Sequence, residues 1–389
     1  MPEKTQEKIS QSIETATLPD PLELVGTEFG HTTLIGVGVV GGSIGLRMRA
    51  MSYSGVIVGH DLPDVLDEAL ERGAIDRGAG DLSEAVNDAD LIVLATPLEE
   101  TIKLLPTVMK TAKSGAVITD TAPVKSELVK LARSVENAKG CYIGGHPLAG
   151  SNRQGISNAD ASLFDDAFWL LTPEVGTPTM ARDTLMWWVR MLGAYPQALE
   201  AETHDKIAAM VTQVPLVLAL ALSNWVARRS GEIPILSKLA TGNFQTMTSL
   251  AALPLGVWEG VLRSNRKEVD AALKEFREVF ETCAKDLRAG NFAEIWQNAH
   301  AFQRKLARER PGDWDANCEL VVTVADRPGT LARIAGLLAT HEIGIRDINV
   351  IYVRERRGGT LRVVLESRSD ARRAIEILVE GGYNARLKA

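Results

Sequence analysis

Apolar and polar positions fall into three successive regimes along the 389-residue chain. From Thr32 to about Thr172, short apolar runs alternate with amphipathic stretches. Thr33–Val37, Val56–Gly59, Leu91–Ala95, Ala116–Thr119, Tyr142–Gly144 and Trp169–Leu171 read as strands, and Leu62–Arg72 and Leu98–Lys113 between them have helical spacing. This alternation predicts an α/β domain over 31–172 with a doubly wound parallel sheet, because parallel neighbours need a crossover. After Pro173 the strand signal disappears. Thr179–Leu192 is amphipathic at helical period, and His204–Val226 is almost continuously apolar. Val269, Leu273, Phe276, Val279, Phe280, Cys283 and Leu287 line one helix face, and Phe292–Arg308 forms another helix. An all-α middle domain is expected over 173–310. It carries more apolar surface than a small bundle covers, so pairing into a homodimer through these helices is expected too. Arg310-Pro311-Gly312-Asp313 then reads as a linker. Beyond it Glu319–Val324, Asp347–Val353, Thr360–Glu366 and Tyr383–Leu387 read as strands, Thr330–His341 and Asp370–Glu380 as helices, and Gly358-Gly359 as a hairpin turn. The order βαββαβ predicts an α+β, ferredoxin-like module over 317–389.

Composition narrows the class. An apolar share of 45% fits a globular protein with sizeable cores. A formal charge of −7 gives no basis for nucleic-acid binding. Residues 1–30 are polar, mix acidic with basic side chains and lack an apolar signal-peptide core, so they read as a flexible arm. The most apolar run, Val214–Leu222, is far shorter than the ~20 residues a bilayer span needs and reads as a buried helix. The three cysteines, Cys141, Cys283 and Cys318, lie far apart without metal-type spacing. They read as buried free thiols in a reducing compartment, hence a cytoplasmic location with no membrane and no metal.

The chemistry begins at Gly36-Val-Gly38-Val39-Val40-Gly41, which follows a strand and opens a helix. Gly36 permits the tight turn, Gly38 admits a pyrophosphate against the backbone, and Gly41 lets helix and strand pack closely. The helix N-terminus adds amide donors and a positive dipole end. The next strand ends in Asp61, where an acid would bind the ribose hydroxyls and repel a 2′-phosphate; this favours NAD over NADP. Ala95-Thr96-Pro97 and Asp120–Lys125 sit at strand C-termini, where open sheets bind ligands, and Thr96 and Pro97 are candidates for the nicotinamide side. A helix cap explains either loop equally well.

Among six histidines, His31, His60, His300 and His341 have no companions and read as structural. His146 differs. It lies in Gly144-Gly145-His146-Pro147-Leu148-Ala149-Gly150-Ser151, a loop directly after a sheet strand on the cofactor edge, and can accept a hydroxyl proton while hydride leaves the same carbon. His204-Asp205, opening the long apolar helix, reads equally as a helix-terminal pair or as part of the site.

The fingerprint, Asp90–Pro97, the Asp120–Lys125 loop and His146–Ser151, together with His204-Asp205, Pro215, Trp258 and Asp326-Arg327-Pro328-Gly329, resemble the prephenate dehydrogenase family in its form with a C-terminal ACT domain. The resemblance implies oxidative decarboxylation of prephenate or arogenate for tyrosine synthesis, with His146 as the base. It also implies substrate contacts from Ser151, Arg153, His204, Gln245, Ser249 and Trp258, and an amino-acid effector at the Asp326–Gly329 turn. The chain departs from the family pattern at Pro123, where a serine is usual, at Gln213 and Leu216, where histidines are usual, and at Ser249, where an arginine holds a substrate carboxylate. Arg153, from another loop, or a residue of the other subunit is the candidate replacement for that charge. These departures leave open a different ring acid as substrate, or a ligand sensor without turnover.

Overall fold

The computed structural model describes residues 29–149, 153–308, 318–324, 329–354, 358–365 and 367–387. The N-terminal arm up to residue 28 and the Arg310–Asp313 linker lie outside them. The chain divides after Thr282 into two compact units.

The first unit begins with β1 (His31–Ile35), α1 (Val39–Ala50), β2 (Val56–His60), α2 (Pro63–Glu71), β3 (Arg77–Gly78), α3 (Leu82–Val86), β4 (Leu91–Leu94), α4 (Leu98–Thr111), β5 (Val117–Asp120), α5 (Ser126–Arg133) and β6 (Cys141–Tyr142). The six strands form one parallel sheet in the order β3-β2-β1-β4-β5-β6. Alternate side chains supply opposite faces. Leu34, Leu91 and Val93 enter one apolar core, and Ile35, Ile92 and Leu94 enter the other. With both faces covered, every strand residue must be apolar or internally bonded, which is why these strands read as continuous apolar runs. The order reverses between β1 and β4, and the carboxyl ends of these two strands flank the ligand crevice of such sheets.

A second sheet follows, made of β7 (Gly144–Pro147), β8 (Phe168–Thr172) and β9 (Tyr195–Ala198), with α6 (Thr179–Met191) between the last two. β8 runs antiparallel to β7 and parallel to β9. Three expectations are corrected here. Trp169–Leu171 is not a strand of the doubly wound sheet, His146 lies within a short strand rather than a loop, and the region after Pro173 is not helical throughout. The first has a simple reason: an apolar run reports burial, not strand partner or direction. Leu185, Met186, Trp188 and Val189 of α6 join the core of the first sheet.

The rest of the first unit is helical: α7 (Ala201–Ala208), a π-turn over Ala209–Gln213, α8 (Val214–Ser230), α9 (Leu236–Leu239), α10 (Asn243–Thr248) and α11 (Leu255–Ser264), with α12 (Arg266–Ala289) running across the division. Ala201–Ser230 is one helical run long and apolar enough, by length and composition, to cross a membrane, and a third of its most apolar window is buried. Val214–Leu222, expected to be buried, therefore belongs to a longer helix whose Leu220 and Trp225 are exposed.

The second unit contains α13 (Phe292–Arg308), β10 (Glu319–Val324), α14 (Thr330–Ala339), β11 (Ile345–Arg354), β12 (Gly358–Leu365), α15 (Arg368–Glu380) and β13 (Asn384–Leu387). Its antiparallel sheet has the order β11-β12-β10-β13, with Leu320, Val322, Leu361 and Val363 packed against Ile334, Leu338 and Leu378 of the two helices. Gly358 and Gly359 are ladder residues of β12, not turn residues. None of the three cysteines is in a disulfide; Cys318 is buried, while Cys141 and Cys283 are half-buried rather than buried.

The contact between β1 and α1 is the tightest constraint on the first sheet. A Cβ at Gly41 would stand 1.9 Å from the Gly36 carbonyl oxygen, a backbone atom that cannot swing aside. Gly41→Ala must push α1 off the strand. We expect a loss of at least ~1–3 kcal/mol in denaturant unfolding, while Gly38→Ala, whose Cβ meets nothing within 4 Å, leaves the unfolding midpoint near that of the parent.

Candidate active site

At the carboxyl end of β1 the chain turns through Gly36, whose φ of +89° suits glycine. The Gly36 N–H donates to the His60 carbonyl at 2.9 Å, tying the turn to β2. Asp61 follows β2 directly. Its carboxylate accepts the Val37 and Leu62 N–H groups, each at 2.7 Å, which fixes it beside the turn. A cleft of about 790 Å³ opens here, lined among others by Gly36, His60, Asp61, Asp67, Thr96 and Glu100. Its described lining includes no lysine or arginine. The residues present fit NAD. The space above Gly38 is open, the N-terminus of α1 points amide donors there, and the acidic lining disfavours a 2′-phosphate. Thr96 lies on the cleft with its hydroxyl 2.9 Å from that of Thr101, and Pro97 caps α4. Val39 is buried and Val40 packs on the core beneath, so these two act through the turn's backbone.

Off the same carboxyl edge, the Gly145 N–H donates to Asp120, the last residue of β5, at 3.1 Å. His146 follows, buried, with Nδ1 at 2.9 Å from Nε2 of His204. His204 Nδ1 is in turn 2.8 Å from Asp205 Oδ1. The carboxylate can only accept, so His204 carries its proton on Nδ1 and accepts at Nε2 from His146 Nδ1–H. The lone pair of His146 is thereby placed on Nε2. Burial holds His146 well below the ordinary histidine range, reinforced by His204 and the Lys125 ammonium. Burial also lowers His204, opposed by Asp205. Burial pushes Asp205 upward, but hydrogen bonds from His204, Ser126 and the Lys125 and Ser126 N–H groups outweigh it, and the carboxyl stays ionised. His204, expected to meet substrate, is wholly buried with both ring nitrogens engaged, so the structure places it behind His146.

The remaining expected site residues are not gathered around His146. Arg153 is exposed. Gln245 and Ser249 are exposed on α10 and the turn after it, and the Ser249 hydroxyl bonds the Thr246 carbonyl at 3.1 Å. Trp258 is half-buried against the core, Leu216 is buried, and Ser151 lies outside the described residues. Two buried arrangements were not foreseen. Asp120 and Lys125, read only as the ends of a strand-terminal loop, are both fully buried and form an ion pair. Asn265 Nδ2 donates to the Asp205 carbonyl at 2.9 Å and to Gln213 Oε1 at 2.8 Å. This amide bridge joins elements far apart in the chain and left no sequence signal.

Two family models match the chain: prephenate dehydrogenase, nucleotide-binding domain, over residues 44–195, and prephenate dehydrogenase, dimerization domain, over residues 200–298. A prephenate dehydrogenase of Lactococcus lactis is 30% identical over 352 residues, covering 89% of this chain and 96% of that protein. The chain belongs to the prephenate dehydrogenase family. A second relative, the prephenate dehydrogenase of Bacillus subtilis, is 29% identical over 350 residues, covering 88% of this chain and 93% of that protein. The crystal structure of prephenate dehydrogenase from Aquifex aeolicus in complex with hydroxyphenyl propionate and NAD+ superposes with a TM-score of 0.64 at 22% identity, covering 72% of this chain and 98% of that one. The nucleotide-binding model of the family ends at Tyr195 and so takes in α6, in keeping with the packing of that helix on the first core.

Family membership brings the NAD requirement, and the Asp61 cleft is the candidate site for it. We expect the unmodified protein to prefer NAD, and Asp61→Ser to narrow the ratio of kcat/KM for NAD over NADP. Equal kinetics with both cofactors in the parent would overturn this assignment.

Proposed function

We propose that this protein is an NAD-dependent dehydrogenase that oxidatively decarboxylates prephenate or arogenate in tyrosine biosynthesis. The observation that carries the reading is the buried Asp205–His204–His146 chain at the carboxyl edge of a dinucleotide-binding sheet. It presents a neutral imidazole with its lone pair fixed on Nε2. NAD, when bound, supplies the hydride acceptor. The substrate carries a ring hydroxyl opposite a ring carboxylate. His146 Nε2 takes the hydroxyl proton as hydride leaves the same carbon. The bond to the carboxylate breaks, its electron pair enters the ring, carbon dioxide departs and the ring becomes aromatic. The protein orients the reactants and holds one proton, and His204 and Asp205 stabilise the imidazolium that results.

His146→Asn is expected to lower kcat by ~10²–10⁴ with NAD affinity little changed. Because His146 is held below its ordinary pKa of about 6.5, it stays neutral and competent as pH falls through that value. The acidic limb of kcat/KM is therefore expected below pH 6.5 and to vanish in the variant. Near-parental turnover with the same limb would show His146 to be a bystander.

Substrate charge is the point at which this member differs. Ser249 offers no cation, and losing a charge-assisted hydrogen bond costs ~1.5–3 kcal/mol. We read Arg153 as the replacement, so Arg153→Ala should raise KM for the ring acid strongly with little effect on KM for NAD; an unaltered KM rules Arg153 out. Ser249 and Leu216 also favour a second reading, a related ring acid as substrate. Following NADH formation with prephenate, arogenate and ring analogues separates the two, and turnover of any of them removes the reading as a sensor.

Exposed Trp225, Ile235, Leu239 and Leu255 in the first unit, and Phe292 and Trp296 in the second, are apolar surface suited to a second copy, and we read the protein as a homodimer. The βαββαβ module we read as an ACT domain that binds an amino-acid effector beside Gly329, which precedes α14 with a φ of +82°; Asp326, Arg327 and Pro328 lie outside the described residues. A chain ending at Arg310 should keep catalysis and lose any response to tyrosine. A retained response would place the effector elsewhere.

A further inference from the structure

The ion pair between Asp120 and Lys125 is the group of buried charges that the reaction does not consume. Both side chains have no solvent exposure. Taking two charges out of water costs several kcal/mol per ion, and an apolar pair of similar volume generally serves stability as well or better. Stability alone is therefore a poor account of the pair. Its contacts give a better one. Lys125 Nζ donates to the Gly145 carbonyl at 2.6 Å, and Asp120 Oδ1 accepts the Gly145 N–H at 3.1 Å. Both backbone polar groups of the residue before His146 are thus held by the two members of one ion pair. The clamp is tight, since a Cβ at Gly145 would lie 2.5 Å from the Asp120 carbonyl oxygen and 2.7 Å from Thr119 Oγ1. Asp120 is itself fixed, accepting the Tyr142 hydroxyl at 2.7 Å and the Ala122 N–H at 2.9 Å. The Lys125 N–H donates to Asp205 Oδ1 at 2.8 Å, so the same residue holds Asp205 at one end of the histidine chain and the residue before His146 at the other.

We infer that Asp120 and Lys125 are positioning residues for His146: the pair clamps Gly145 from both sides, fixes where the imidazole stands at the end of β5, and sets a positive charge beside the two histidines. This rests on the reading of His146 as the base. The ammonium helps keep both imidazoles neutral, which is the protonation state that can accept a proton. Asp120 in turn opposes the loss of the Lys125 proton that burial favours.

The test is the paired variant Asp120→Asn/Lys125→Met, which removes both charges and keeps an amide to accept from Tyr142 and Gly145. It is assayed as full-length protein beside the parent and His146→Asn. Unfolding midpoint and NAD affinity serve as controls for structure. The expected result is kcat at least tenfold lower, KM for NAD within about twofold of the parent, and an acidic limb moved to higher pH, since removing the cation raises the imidazole. Parental kcat, or a limb that does not move, overturns the proposal. Should the paired variant not fold, Lys125→Gln, which keeps a donor for the Gly145 carbonyl, carries the same reading of the limb. A fully active His146→Asn would instead sink the underlying assignment of the base, whatever the pair does, so the two failures are distinguishable.

Discussion

A carboxylate buried in a protein must find donors for its oxygens, and Asp205 finds them on two different elements. The N–H groups of Lys125 and Ser126, at the start of α5, donate to its two oxygens, and the His204 ring donates to one of them. Lys125 provides no side-chain cap for its own helix, so Asp205 caps α5 from 80 residues further along the chain. Satisfying one buried charge thus docks α7 against the cofactor-binding sheet, fixes the tautomer of His204 and, through it, the lone pair of His146. Without that carboxylate, both imidazoles would choose their tautomers freely and α5 would begin with unsatisfied amides.

The two halves of the site are made differently. The dinucleotide cradle is built by close backbone approach: Gly36 and Gly41 touch, and Asp61 holds the turn through two amides. The half around His146 is built from buried polar groups satisfying one another, from Asn265 and Gln213 through Asp205 and His204 to His146, with the Asp120–Lys125 pair beneath. Such networks are costly when incomplete and rigid when complete. Rigidity suits a reaction in which aromatisation supplies the driving force and the protein supplies position. Gln213 Nε2 is buried without an acceptor among the described residues, a departure from full satisfaction at the end of the π-turn.

Much of the cofactor half was legible in the sequence. A glycine fingerprint between a strand and a helix, with an acid after the next strand, is a local pattern, and each residue acts within a few positions of its neighbours. His146 stood out as a candidate because it comes shortly after a strand of the first sheet. The strand directions around it were not legible, nor was the partner of β8, since apolar alternation records burial alone. The helical spacing of 173–310 hid β9 because Tyr195–Ala198 is short and only partly buried.

By itself the sequence determined the alternating sheet, the glycine-rich turn, helices over most of 173–310, the βαββαβ order and the family, because each depends on periodicity or on motifs of a few residues. Tertiary structure alone decided that His204 stands behind His146 rather than against substrate, that Asp205 caps a distant helix, and that Lys125 and Asp120 share a dry site under Gly145. These facts depend on which polar groups lose water together, and that is settled only when elements up to 80 residues apart are packed.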